Sequence, residues 1–104
     1  KTLFFYLFAC AGLFSSAALA DIETDRNAGA CAAFFTYTEN PKGRVAALKM
    51  ADKMERAIQF AQTEINQTVR MMKEKKLDQS DWQTIIFSGN SACRKIGIRP
   101  GDFK

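Results

Sequence analysis

The stretch 44-RVAALKMADKMERAIQFAQTEINQTVRMMKEKK-76 decides the fold. Its apolar and small positions fall at Ala47, Met50, Ala51, Met54, Ala57, Ile58, Ala61, Ile65, Thr68 and Met72, with Lys, Asp, Glu, Gln and Arg between them. That is helical spacing. From Ala47 to Met72 the stripe advances 25 positions in about seven turns, close to 3.6 residues per turn, so its phase holds without a slip. A long helix over about 44–76 with one buried face is expected, and the rest of the chain is expected to pack around it.

Size makes a straight helix of that length awkward. Residues 1–20 have the three parts of a secretory signal peptide: a basic start at Lys1, an apolar run from Leu3 to Phe14, and the small-residue site Ala17-Ala18-Leu19-Ala20. Cleavage is expected before Asp21. The run is broken by Gly12, Ser15 and Ser16, whereas a membrane span needs about 20 apolar residues. A lipoprotein site at Cys10 would have bulky Phe8 where such sites take small residues. Removing 20 of 104 residues leaves 84, one small domain with a thin core. A compact domain of that size is roughly 30 Å across. A continuous helix from Arg44 to Lys76 would be about 50 Å long and would overhang it.

The cysteines sharpen the conflict. Cys10 leaves with the leader, and Cys31 and Cys93 remain as an even pair in an oxidising compartment, the periplasm or the exterior, where one disulfide is expected. Two buried thiols are the alternative. With simple antiparallel turns Cys31 lies level with Asp52 and Cys93 with Gln62, about 15 Å apart along the helix. Bonded cysteines need Cα atoms within about 7 Å. The helix is therefore expected to bend or break near 62–68, where Thr63, Ile65, Asn66, Thr68 and Val69 are weaker helix formers than their neighbours. Steep crossing of the outer helices, or a dimer that covers the overhang, would also resolve it. The expected class is all-α: a small three- or four-helix bundle stapled by one disulfide.

The flanking segments carry their own punctuation. Asp21 to Asn27 is polar and is expected to be a frayed lead-in. A first helix follows over about 25–38, with Ala28, Cys31, Phe34, Phe35 and Thr38 on one face. Asn40-Pro41-Lys42-Gly43 stops it in a tight turn. Asp78 opens the last helix as N-cap, with Leu77 and Trp82 placed as a hydrophobic staple and Asp81 in the first turn. Trp82, Ile85, Ile86, Gly89, Cys93 and Ile96 share a face, and a break at Gly89 is the alternative. Gly97 fits the left-handed position after the helix, Ile98 packs back on Cys93, and Pro100 prevents resumption. Residues 99–104 are expected to be a short tail. No stretch alternates at period two, so no sheet is expected.

Little chemistry is available. There is no histidine, which removes the commonest general base and zinc ligand. C-x-x-C pairs and Gly-rich phosphate loops are missing, so no cofactor, metal or catalytic residue is expected. Asp52 and Glu55 share a helix face, but they alternate with Lys49, Lys53 and Arg56 as solvated helix charges do. The Met positions 50, 54 and 72 are expected in the core, with the stripe committed to Phe34, Phe35, Trp82, Ile85 and Ile86. Without the leader, 14 basic residues oppose 11 acidic ones, a net charge of +3 too mild to imply a nucleic-acid partner. The densest basic run is Arg70, Lys73, Lys75 and Lys76, a candidate patch for an anionic partner, although cations also suit the last turns of a helix.

In its leader, size, helicity and single long-range cysteine pair, the chain resembles in general type the small disulfide-stapled helical proteins of the bacterial periplasm. Two functions from different classes are compatible with these features. One is an exported protein that binds another protein or an envelope component. The other is a secreted cationic effector that acts on membrane surfaces or anionic polymers.

Overall fold

A computed structural model describes the backbone of residues 2–103 and the side chains of residues 20–103. The signal-peptide assignment to 1–20 rests, Ala20 apart, on side chains outside that range. Four helices form the fold: α1 (Thr2–Tyr37), α2 (Pro41–Lys49), α3 (Met54–Glu74) and α4 (Gln79–Lys95), followed by a 3-10 turn, Pro100–Phe103. Among the described residues there is no strand. The architecture is a small all-α bundle.

Its hub is α1. α2, α3 and α4 all pack on α1, and they touch one another sparsely. The reason lies in side-chain size. Ala28, Gly29, Ala32 and Ala33 on α1 are buried, and a row of small residues lets several helices approach one axis closely. At Gly29 even a β-carbon would lie 2.6 Å from Phe60 Cβ and 2.7 Å from the Ala57 carbonyl oxygen, so α1 and α3 meet backbone to backbone. Gly89 does the same for α4, where a β-carbon would come within 2.6 Å of Phe34 Cβ. α4 runs unbroken through that residue.

The long helix expected over 44–76 is two helices. The break falls at residues 50–53 and not near 62–68, where α3 is continuous. Nothing local explains it, since Met50-Ala51-Asp52-Lys53 contains neither Gly nor Pro. The cause is Asp25, on α1. Its fully buried carboxylate accepts hydrogen bonds from the Asp52 amide (2.7 Å) and the Lys53 amide (3.1 Å) through Oδ1, and from Arg56 Nε (2.6 Å) through Oδ2. Lys53, the N-cap of α3, has extended backbone and no side-chain cap of its own. A carboxylate from another helix therefore satisfies the free amide groups that every helix N-terminus presents. The chain turns back at this corner, so α3 returns alongside α1 in the same direction: Asp25 lies against residues 52–56 and Tyr37 against Thr68.

That reversal removes the disulfide conflict. Cys31 and Cys93 face each other directly across α1 and α4, with Cα atoms 4.7 Å apart, and no third helix lies between them. Both are fully buried beside Phe35, Ala47, Ile96 and Ile98.

Helix ends follow local chemistry. Asp78 and Asp81 form a reciprocal capping box at the start of α4, each side chain accepting from the other's amide. At its end the Ile98 amide bonds the Cys93 carbonyl (2.9 Å) and the Gly97 amide bonds that of Arg94 (3.0 Å), with Gly97 at φ +81°. α1 closes the same way with Glu39 at φ +55°, the Asn40 amide reaching the Phe35 carbonyl. Two expectations change. Asn40 is the N-cap of α2, with its side chain accepting from the Gly43 amide and Pro41 in the first helical turn, so this helix begins before Arg44. Residues 100–103 are anchored, since Phe103 stacks edge-on against Phe35 at 5.6 Å and its carbonyl accepts from Asn40 Nδ2. The lead-in at 21–27 is helical as well, and Asp25 within it is buried.

Candidate binding face

α3 buries only part of its apolar surface. Its contacts with α1 run through Ala57, Ala61 and Thr68, all buried, while Met54 (46 % exposed), Ile58, Val69 and Met72 (52 %) stand open to solvent and Ile65 is half-buried. At 100° per residue the exposed apolar set is centred about 65° around the helix from the buried set. Close packing on the small residues of α1 selects the alanine side, because only small side chains fit where backbones nearly touch. The larger side chains are left beside that contact. The expectation that Met50, Met54 and Met72 lie in the core, and that the stripe is committed to Phe34, Phe35, Trp82, Ile85 and Ile86, is corrected accordingly. Phe34 and Phe35 are buried, Trp82 and Ile85 are half-buried, and Ile86 and Met50 are exposed.

On the other side of its contact with α1, α3 splays apart from α4 and leaves an open cleft of about 490 Å³, walled by Glu64, Arg70 and Met71 on one side and Thr84, Ile85 and Ser88 on the other. Thr68, which lines it, accepts a hydrogen bond from the Tyr37 hydroxyl at 2.8 Å, and the Tyr37 ring meets Trp82 edge-on at 6.4 Å. Burial raises the Tyr37 pKa above its ordinary value; the Thr68 hydrogen bond opposes that shift and the nearby Glu64 charge adds to it. The phenol stays protonated and serves as a hydrogen-bond donor.

The four basic residues of the candidate patch occupy the α3–α4 corner, and all are exposed. Arg70 reaches into the cleft wall. Lys75 is engaged, with Nζ 3.6 Å from Asp81 Oδ2. The Asp78 amide hydrogen bond lowers the Asp81 pKa most, and burial opposes it, with Lys75 adding to the lowering. Acidic side chains thus stand among the cations. Cys31 and Cys93 are joined and inaccessible. Sequence reasoning missed Asp25, whose only signal is a carboxylate at a helical position that also carries core residues. It also missed the outward turn of the α3 apolar side chains. Among the described residues, no group of three His, Cys, Asp or Glu side chains is placed to hold a metal ion, and no helix is long and apolar enough to cross a membrane.

No protein-family model matches the chain, and no curated protein or solved structure matches it either.

Proposed function

We propose that this is an exported helical protein that acts by binding another protein or an envelope component, with no chemistry of its own, and that the outer face of α3 is its binding surface. One observation supports this above others. Met54, Ile58, Ile65, Val69 and Met72 form an apolar line along a 21-residue helix that the chain's own fold leaves largely uncovered. Contiguous exposed apolar surface rimmed by polar residues marks interaction sites. Export draws support from the leader pattern and from the disulfide, because such bonds persist in oxidising compartments.

The cationic-effector alternative draws less support. Lys75 is tied to Asp81, and Glu74 and Asp78 interrupt the basic run, so little unbalanced positive charge is left at the corner.

A photo-crosslinking side chain placed at Ile58 or Val69 tests the assignment in living cells. Adducts are expected from both positions and not from Gln83, an exposed residue of α4. Absence of adducts from both α3 positions would overturn it. Salt-sensitive adhesion to anionic vesicles, lost when Arg70 and Lys73 are neutralised, would instead favour the effector.

A further inference from the structure

We infer that the partner seated on the outer face of α3 is a second copy of this chain, its α3 lying antiparallel to the first across a two-fold axis beside residue 64. This rests on the assignment of that face as the binding surface and adds who occupies it. The apolar residues are spaced four, seven, four and three apart from Met54 to Met72, the 3.5-residue rhythm by which two nearly aligned helices interlock. The line is also self-complementary. One antiparallel register sets Met54 near Met72 of the second copy and Ile58 near its Val69, and it brings the two Ile65 side chains together close to the axis; at 1.5 Å per residue these pairs share that axis to within about 3 Å. A two-fold interface requires this property, since each patch must match itself reversed.

Charge selects the same orientation. Along the solvent-side flank of the line stand Glu55, then the uncharged Gln62 and Asn66, then Lys73, with Gln59 and Arg70 just beyond them, all exposed. The acidic group lies at the start of the helix and the cations at its end. Antiparallel pairing therefore places Glu55 of each copy against Lys73 of the other, twice per dimer, in the register the apolar side chains require. Parallel pairing would carry the two flanks to opposite sides of the interface, where Glu55 and Lys73 of different copies do not meet. The helix dipoles also oppose favourably when the two run in opposite directions. An unrelated helical partner would have no reason to match both the reversed spacing and the reversed charge.

Sedimentation equilibrium on protein purified from cells expressing the full chain, from micromolar to millimolar concentration, tests this. A reversible dimer is expected. Glu55→Lys or Lys73→Glu alone should weaken it about tenfold at low salt, since like charges then face each other at both contacts. The double variant should recover most of the wild-type affinity. Ile65→Asp should abolish the dimer while leaving the helical circular dichroism of the monomer in place. A protein that stays monomeric, or a dimer indifferent to Ile65→Asp and to the charge exchange, would overturn the proposal. The crosslinking experiment separates the two levels: adducts at twice the chain mass support self-association, adducts at other masses place a different protein on the face, and no adducts remove the face itself.

Discussion

A single carboxylate sets the path of the chain. Asp25 is fully buried and bonded by two backbone amides and Arg56. Burial pushes its pKa up, but the Arg56 hydrogen bond, then the Lys53 and Asp52 amides, then the Arg56 charge outweigh that and hold it below its ordinary value. Asp25→Ala would strand two amide donors and a guanidinium that is only partly exposed. Losing one partner of such a buried pair costs about 3 kcal/mol or more, which in a domain of this size corresponds to a melting temperature lower by roughly 15 °C. The pH dependence has a defined sign. Because the folded pKa lies below the unfolded value, the stabilisation is complete above the unfolded value and drains away as pH falls through the folded pKa. Thermal melts of the wild type and of Asp25→Asn should therefore differ most near pH 6 and converge in strong acid. A constant difference at all pH would mean that ionised Asp25 does not hold the corner. None of this is legible in the sequence, where Asp25 sits in a polar run and its partners are 27 to 31 residues away.

At the scale of elements, what the sequence discloses depends on how local the cause is. The caps of α4 are readable because Asp78, Asp81 and Gly97 act within a turn of their own helix. The phase of the apolar stripe from Ala47 to Met72 is also readable, yet it hides a reversal, because a hairpin between α2 and α3 can preserve a 3.6-residue rhythm by coincidence. Periodicity reports which residues share a face of each helix. It cannot report whether one helix or two carry them, nor whether a large or a small side of the helix meets its neighbour. Here the neighbour decides, through Gly29. Gly29→Ala gains about 1 kcal/mol of helix propensity but sets a β-carbon 2.7 Å from the Ala57 carbonyl oxygen and 2.9 Å from the Ala61 amide nitrogen, both backbone atoms. Overpacking of this kind costs about 1–3 kcal/mol, more where a whole helix must retreat. Urea unfolding should show a net loss of up to about 2 kcal/mol. A stabilised variant would show that α1 and α3 do not touch as closely as described.

The whole molecule is a hub with three arms, and that arrangement distributes stability unevenly. α2 and α3 are tied to α1 at both the Asn40 turn and the Asp25 corner, whereas α4 meets α1 through Gly89, Ala92 and Cys93 and has only sparse contact with α3 across the open cleft. The disulfide is therefore placed on the arm with the least other attachment. It closes a 62-residue separation, worth about 4 kcal/mol in the chain-entropy model. For a small helical bundle that is a large part of an ordinary folding free energy of about 5–15 kcal/mol. Hydrogen exchange with and without reductant should resolve where it acts. On reduction, or in Cys31→Ser/Cys93→Ser, the amides of α4 from Trp82 to Lys95 should lose protection first, while those of α3 beside Asp25 and Gly29 retain theirs. Simultaneous loss along all four helices would show instead that α4 is needed to hold α1, and with it the corner at residues 50–53 and the exposed apolar face of α3.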